Sequence, residues 1–580
     1  MSDVITNNLD LWTSAILTKS GAGRGSNGKE QAYGIKKLRE LILELAVRGK
    51  LVPQDPKDEP ASVLLKKIAK EKARLVKEGK IRKQKPQLDI YVKEEFFEIP
   101  ENWKWVRFAE IAQHNAGKTL DRGRNNGAPR DYITTSNLYW GEFDLSDVRQ
   151  MLIREDELDR CTARQGDLLI CEGGEAGRAA VWDEDYEVCF QNHIHRARFY
   201  CCVNSYYAYR YFEYLSATGK IENYRKGVGI SNMSGKALAS IVVPLPPEAE
   251  QHRIVAKVDE LMALCDQLEQ QQTHSLEAHQ TLVETLLGTL TNVESAEGFA
   301  EAWTLIADHF GILFTTEHSI DQLKQTILQL AVMGKLVPQD PNDEPASVLL
   351  EKIAKEKARL IKDRKIKKQK PLPAIAKKEK PFALPKSWEW KRFGDITYQI
   401  TDGAHHTPTY VNEGVPFLSV KDMSTGKLDF TDTRLISRVQ HEDLIRRCYP
   451  KKGDLLLTKV GTTGIPVLVD TNEEFSIFVS VALIKFPQDK LVGKYLSWLV
   501  SSPIVKAQSV EGTEGVGNKN LVLRKIAAFL LAIPPVNEQH RIVAKIDELI
   551  ALCNALKARL TDAQTTQIHL ADAIVEQAIA

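Results

Sequence analysis

The sequence has little cysteine, no long apolar run and almost no net charge, and each shortage excludes something. Eight cysteines in 580 residues, none in a C-x-x-C spacing, exclude a disulfide framework and a zinc ribbon; they fit thiols used as small core residues in a reducing compartment, although Cys201 and Cys202 are unusual neighbours. No stretch approaches the roughly 18 to 20 apolar residues of a membrane span. The opening MSDVITNNLD lacks the basic start and apolar stretch of a signal peptide, so a cytoplasmic protein with no membrane partner is expected. Lys plus Arg number 78 against 77 Asp plus Glu, a formal net of +1. That mean gives no global pull towards nucleic acid, but electrostatic recognition depends on how charge is distributed. What is present is ordinary for a globular protein, 43% apolar and 27% charged. The chain is too long for one core, and about 150 residues per domain gives roughly four units.

The chain also contains itself twice. Residues 51–86 return at 336–371 with six differences in 36 positions, and 250–265 return at 538–553 with two in 16. The offsets are 285 and 288, a period too long for a solenoid, so it marks a duplicated half-molecule whose copies are expected to pack about a pseudo-two-fold axis. Between these blocks the copies diverge, and only islands keep register. Glu101-Asn102-Trp103-Lys104-Trp105 answers Lys386-Ser387-Trp388-Glu389-Trp390, Gly166-Asp167-Leu168-Leu169 answers Gly453-Asp454-Leu455-Leu456, and Gly227-Val228-Gly229 answers Gly515-Val516-Gly517. Residues 101–245 and 386–535 therefore read as one fold carrying two different surfaces.

Periodicity supplies the elements. Ile35, Leu38, Leu41, Ile42 and Leu45 share a helical face that Gly49 suits as a left-handed cap, repeated by Ile320, Leu323, Ile327, Leu330 and Gly334. A PQDP turn follows each. Next comes a basic helix, ten basic and two acidic residues from Lys66 to Lys85 and ten and three from Glu351 to Lys370, with a thin stripe of Leu65, Ile68 and Leu75 in the first copy. Such a segment is either a solvated face or an arm that tracks phosphates. Ile254, Val258, Leu261, Cys265 and Leu268, and Ile542, Ile546, Leu549, Cys553 and Leu556, step as heptad seams. Helices of about 40 residues would each reach roughly 60 Å; antiparallel pairing with each other is the simplest way to bury both seams, and packing of each on its own domain is the alternative. The divergent regions mix short β-rich runs with Gly and Asn turns, which predicts α+β globules.

Catalytic signatures are missing or false. Gly23 to Glu30 nearly spells a phosphate-binding loop, but Glu30 replaces the Mg²⁺-binding hydroxyl and no apolar strand leads in. His193 and His195 sit at strand spacing, and His405 and His406 are adjacent, yet two histidines do not make a metal site. No H-E-x-x-H, nucleophile elbow, dinucleotide fingerprint or Asn/Asp-Pro-Pro-Tyr/Phe tetrapeptide occurs; Pro246-Pro247 and Pro534-Pro535 run on to Glu248 and Val536. No catalytic centre, cofactor site or metal site is expected.

The order of variable globule, repeated helix, variable globule, repeated helix closely resembles the specificity (S) subunit of type I restriction-modification enzymes over the whole chain. The residues that carry it are the Ile-Pro-x-x-Trp-x-Trp entry from Ile99 to Trp105 with its variant from Leu384 to Trp390, the Gly-Asp-Leu-Leu turns, and the Pro-Pro-x-x-Glu-Gln-His-Arg-Ile-Val exits from Pro246 and Pro534. The duplicated GKLVPQDP blocks are similar to those of the IB subfamily.

The resemblance implies two α+β target recognition domains separated by repeated helices that form an antiparallel coiled coil. The expected domains are 1–100 with the basic arm, 101–245, a central helical region 246–385, 386–535, and a C-terminal helix 536–580. It implies a non-catalytic adaptor that reads the two halves of a bipartite, asymmetric double-stranded DNA site about one helical turn apart. Two methyltransferase (M) subunits carrying S-adenosylmethionine would dock on it, and restriction (R) subunits using ATP and Mg would join through a core of two M and one S subunit. A fused methyltransferase or nuclease with an unrecognised site is the alternative. Candidate DNA contacts in the first globule are Lys118, Arg122, Arg124, Asn125, Asn126 and Arg130, a basic, amide-rich segment whose arginines suit guanine and asparagines adenine. Ser136 and Asn137 follow, in register with Lys421 and Asp422, and Asn232 matches Asn520 beside Lys519. In the second globule Asp402-Gly403-Ala404-His405-His406 resembles the family's Asp-Gly-x-His segment, which points to His405, His406 and Lys421.

Overall fold

The computed structural model describes residues 2–19, 29–81, 90, 96–119, 121, 126–227, 231–514 and 520–580. The chain divides into two units, one of described residues up to 275 together with 564–580, the other of residues 276–563. Among the described residues no helix is long and apolar enough to cross a membrane.

In the first unit helix α1, Tyr33–Val47, buries Ile35, Leu38, Leu41, Ile42 and Leu45. It stops where Gly49 turns left-handed at φ 68° and the Lys50 N–H donates to the Leu45 carbonyl at 2.9 Å. The turn then leads to α2, Ala61–Lys77, which buries only Ala61, Leu64 and Ile68. The globule that follows enters on β1, Lys104–Arg107. Its inner sheet takes β2, Ala112–Ala116; its outer sheet takes β3, Ala128–Ile133, and β4, Arg149–Ile153. Helix α3, Glu155–Cys161, leads into β5, Thr162–Ala163, then β6, Leu168–Cys171, β7, Ala179–Val181, β8, Val188–Phe190, and β9, Ile194–Phe199. The chain leaves on β10, Val242–Leu245. The inner sheet is antiparallel in the order β7-β6-β9-β2, and the outer one runs β4-β3-β8-β5 with β3 and β8 parallel. Strands β1 and β10 pair antiparallel, Lys104 opposite Leu245, so the globule begins and ends on neighbouring strands. The long helix α4, Glu248–Asn292, starts immediately after.

The second unit repeats this plan. Helix α5, Glu317–Val332, ends at Gly334 (φ 72°), and α6 is Ala346–Lys362. Its globule enters on β11, Glu389–Arg392, continues through β12, Gln399–Asp402, β13, Tyr410–Val411, β14, Val415–Leu418, and β15, Arg434–Ile436, and then forms α7, Arg438–Ile445. Strands β16, Leu455–Thr458, β17, Pro466–Leu468, β18, Ser476–Ile477, β19, Val481–Lys485, and the exit β20, Leu530–Ile533, complete it, and helix α8, Val536–Ile579, follows. The sheet orders are β12-β19-β16-β17 and β13-β15-β14-β18, again with one parallel pair, β14 with β18. The two copies differ at the edges of the outer sheet.

Each seam lies in the core of its own unit. Ile254, Val258, Leu261 and Cys265 pack with α1 and with Ala571 and Ala578 from the far end of α8; Ile542, Ile546 and Cys553 pack with α5 and with Val283, Leu287 and Leu290 from the far end of α4. Cross-links fix the directions. Gln54 binds Glu250 and Arg39 binds Asp266, while Tyr33 binds Asp572 and Lys50 the Ile579 carbonyl, so in the first unit the α4 segment runs against α1 and the α8 segment along it, antiparallel to each other. Lys557 with Asp321 and Gln339 with Glu538 on α8, against Gln322 with Glu284 and Lys335 with the Thr291 carbonyl on α4, give the same antiparallel pairing in the second. The heptad seams are therefore buried against the repeat's own helix and the tail of the other long helix, because antiparallel helices bring the start of one to the end of the other.

The kept islands join globule to helix. Trp103 Nε1 donates to Glu250 at 2.9 Å, Gln54 donates to the same carboxylate, and Arg253 binds Asp58 at 2.6 Å. In the second copy Trp388 donates to Glu538 at 2.9 Å, Gln339 to Glu538 at 2.5 Å, and Arg541 binds Asp343 at 2.7 Å. Pro100 and Pro385 pack on Gly49 and Gly334, where a Cβ would come within 2.6 and 2.5 Å of the ring. The Trp entry, the PQDP turn and the Glu-Gln-His-Arg exit thus form one joint, made twice.

One departure from the duplication has a measurable cost. Gly79 ends α2 at φ 72°, whereas its counterpart Arg364 ends α6 at φ 56°, and the same capping bond, Lys80 to Leu75 or Lys365 to Leu360, is made in both. A side chain in that region is strained. Arg364→Gly is expected to stabilise the second unit by about 1 kcal/mol, read as a higher urea midpoint at unchanged slope.

Candidate nucleic-acid interface

The chemistry that differs between the copies gathers at one edge of the inner sheet, beyond the end of the Gly-Asp-Leu-Leu strand. The aspartate of that motif is structural. Asp167 accepts the Arg164 N–H at 2.8 Å and holds Arg198, as Asp454 accepts the Lys451 N–H at 2.8 Å and holds Lys485. Past the strand, Gly173 pairs with Asn232 in the first globule and Val460 with Asn520 in the second, so the two late-loop asparagines occupy matching positions. Asn232 is exposed, and the buried side-chain oxygen of Asn520 has no partner among the described residues. Gly117 and Gly403 bring the segment after the first strand to the same edge. A Cβ there would lie 2.2 Å from the Phe190 carbonyl oxygen or 1.8 Å from that of Ile477, so only glycine admits the approach.

The charges at this edge are arranged differently in the two copies. In the first, Glu172 lies 3.7 Å from His195, whose Nε2 is 3.2 Å from the Met233 carbonyl. Burial keeps both His195 and the neighbouring His114 below the usual histidine range, so both are neutral at pH 7. His193 lies in an exposed turn while His195 is buried, so the two do not share a face; among the described residues no metal-binding group of three or more side chains occurs. In the second copy the acid comes from the other strand. Asp402, 3% exposed, accepts Lys459 Nζ at 2.9 Å on one oxygen and both Arg447 Nη2 at 2.6 Å and His405 Nε2 at 3.1 Å on the other. Burial acts to raise the Asp402 carboxyl, and Lys459 and His405 more than offset it, holding it below its ordinary range. An open pocket of about 520 Å³ lies in front, lined by Gly403 to Thr409, Gln440, Asp443 and Arg447.

Of the expected contacts, His405 and His406 face this pocket and are exposed. Arg130 and Ser136 are exposed on or after β3. Lys421 is half-exposed, with its ammonium on the Asp432 carbonyl at 2.7 Å. Lys118 is mostly covered and paired with Glu157, whose carboxyl it draws below the usual range. Asn137 is corrected. It is 5% exposed, accepts the Thr134 N–H at 2.9 Å and donates to the Asp144 and Asp147 carbonyls, so it fixes a turn and has no group left for a base; Asp422 does the same for Ser419. Arg122, Arg124, Asn125 and Lys519 lie outside the described residues, as do residues 23–28 of the phosphate-loop look-alike and residues 82–85 of the basic arm. Sequence reasoning named the Asp402 segment but missed Arg447 and Lys459, which meet that carboxylate only through the sheet, and in the first globule it missed Glu172 beside His195.

The basic helices are partly neutralised. Arg74 binds Glu71 and Glu78, Lys67 binds Glu59 and Lys352 binds Glu344, while Lys72 and Lys357 are half-buried with their ammonium groups on the Ala109 and Gly394 carbonyls. Desolvation lowers the pKa of both of these lysines. Beyond α6, Lys365, Lys367, Lys368 and Lys370 remain exposed.

Residues 100–278 and 385–563 each match the family described as type I restriction modification DNA specificity domain. The chain is 41% identical to the type I restriction enzyme EcoAI specificity subunit of Escherichia coli over 99% of both chains. It is 40% identical to the EcoEI specificity subunit of the same species, again over 99% of each. Among solved structures, the HsdS subunit from Thermoanaerobacter tengcongensis aligns at 17% identity over 84% of this chain and 99% of that chain, with a TM-score of 0.40.

Proposed function

The chain belongs to the type I restriction-modification DNA specificity family, and from that premise we propose how its parts serve the complex. It is the specificity subunit, non-catalytic, binding DNA and assembling with methyltransferase and restriction subunits. Residues 101–245 and 386–535 are its two target recognition domains, each reading one half of an asymmetric bipartite site. Residues 1–100, 246–385 and 536–580 form the helical frame on which two M subunits dock, and R subunits join through them. The cofactors belong to those partners, S-adenosylmethionine to M and ATP with Mg to R, and the complex works in the cytoplasm. Assignment to the IB group rests on the GKLVPQDP blocks.

The observation that carries this reading is the same sheet edge furnished with different chemistry in two otherwise matching globules, Glu172 with His195 in one and Asp402 with Lys459 in the other. A scaffold kept alike with a surface made different is what two half-sites require. Contacts are proposed at His405, His406, Lys421, Lys519 and Asn520 in the second domain and at Lys118, Arg122, Arg124, Asn125, Arg130, Ser136 and Asn232 in the first. Lys or Arg on phosphate would position the complex, and groups on base edges would specify the sequence.

Sequencing of methylated adenine in cells that express the M subunit with and without this chain tests the proposal. A single asymmetric two-part motif is expected, present only with the chain. Methylation that is unchanged without it, or S-adenosylmethionine turnover by the purified chain alone, would overturn the adaptor role.

A further inference from the structure

We infer that Arg447, held in place by Asp402, reads a guanine in the half-site of the second domain. The inference rests on the reading of residues 386–535 as a DNA-recognising domain. Arg447 follows α7 and was not legible as a site residue, since its partner stands 45 positions away. Its side chain is 55% exposed and lines the open pocket, yet one end is fixed. Nη2 donates to Asp402 at 2.6 Å and lies 2.9 Å from His405 Nε2. The anchor is itself immobile, because the other Asp402 oxygen holds the buried Lys459 and the carboxylate is 3% exposed. Among the described residues the Arg447 side chain makes its hydrogen bond to Asp402 through Nη2, which leaves Nε and Nη1 to an incoming group.

A guanidinium is planar, so its N–H donors all point within one plane, and tying Nη2 to a buried carboxylate narrows the directions that plane can take. Guanine O6 and N7 are the acceptor pair that matches such a fork in the major groove, and an arginine already ordered loses little rotamer freedom on binding. The neighbouring wall favours a base pair over a phosphate. Gln440 and Asp443 line the same pocket, and a carboxylate there repels a phosphate while it can accept from the N4 amino group of the paired cytosine.

The first domain has the same arginine with a different anchor. Arg160 occupies the matching position, before Cys161 as Arg447 is before Cys448, but the residue equivalent to Asp402 is Ala116, and Arg160 Nη2 donates instead to the Gly117 carbonyl at 3.2 Å. The buried carboxylate, and with it the aim of the arginine, belongs to the second domain alone. Asp402 is thus a positioning residue and Arg447 the contact.

The test is binding by the assembled complex with its M subunits to DNA pools randomised in one half-site at a time. Arg447→Ala, a surface change, should lose roughly 10- to 100-fold on the preferred sequence. The loss should be confined to one position where the wild-type complex selects guanine, with the other half-site unaltered. Arg447→Lys should restore affinity only in part and without the guanine preference, and Asp402→Asn should weaken that preference while Arg447 is still present. A uniform loss on all sequences with a shallower salt dependence would make Arg447 a phosphate contact, and no loss would remove it from the interface; either overturns the inference. A wild-type complex with no sequence preference in that half-site would instead overturn the reading of the domain.

Discussion

Replacing residues 101–245 by the chain's own residues 386–533 is expected to change the methylated site completely in one half and not at all in the other, giving a site that contains the second half-sequence twice. The physical basis is the way each globule is attached. The first enters on Lys104–Arg107 and leaves on Val242–Leu245, and these strands pair antiparallel with Lys104 opposite Leu245. The second enters and leaves on a matching pair with Glu389 opposite Ile533. Paired strands lie about 4.8 Å apart, so a globule is inserted at one point of the frame and its exchange need not move what lies outside. The exits, Pro246-Pro247 and Pro534-Pro535, lead into helices that begin with nearly the same sequence, so the transplanted strand meets its usual neighbours. Sequencing of methylated adenine in cells carrying the M subunit and the chimaera reads the result directly. An unchanged motif would reduce the globules to spacers, and two altered halves would mean that one globule influences the reading of both.

Trp388→Ala is expected to destabilise the second unit by about 3–5 kcal/mol, the usual range for removing a buried tryptophan. The indole is 4% exposed, its Nε1 is bound to Glu538 at 2.9 Å, and its ring packs near Gly334. The loss is compounded because Glu538, 1% exposed, would keep only Gln339 as a donor. Burial already raises the Glu538 carboxyl, opposed by the Trp388 and Gln339 hydrogen bonds, so losing the indole should raise it further. For a unit of this size the cost corresponds to roughly 6–20 °C in melting temperature, measurable by scanning calorimetry. The mirror substitution Trp103→Ala should cost about as much in the first unit, where Glu250 and Gln54 repeat the arrangement. The methylated motif at low temperature should stay the same, since neither indole lies at the variable edge. A loss under about 1 kcal/mol would mean that the joint is held by the surrounding apolar contacts rather than by this residue.

The two predictions separate features that were equally visible as motifs. Trp388 and Asp454 belong to islands kept in both copies, and both turned out to serve folding, one as a joint and one as a turn that pairs with Lys485. Asn137 looked like a reader and is a turn cap, because a short polar side chain beside backbone donors satisfies them locally. Asp402 and His405 were legible from their segment, but the reason for their pairing, a lysine beneath and an arginine across the pocket, was not.

By itself the sequence determined the duplication, the seams, the caps at Gly49 and Gly334, the α+β character of the globules and the family resemblance, because periodicity and repetition are properties of the chain's order. Only the tertiary structure decided where each seam is buried, which polar residues are consumed by turns, and which charges meet at the sheet edge. Arg447, Asp402 and Lys459 come from three separate segments, and no local spacing encodes that meeting. Strand pairing brings Asp402 and Lys459 together, and burial of the carboxylate gives the exposed arginine a fixed direction.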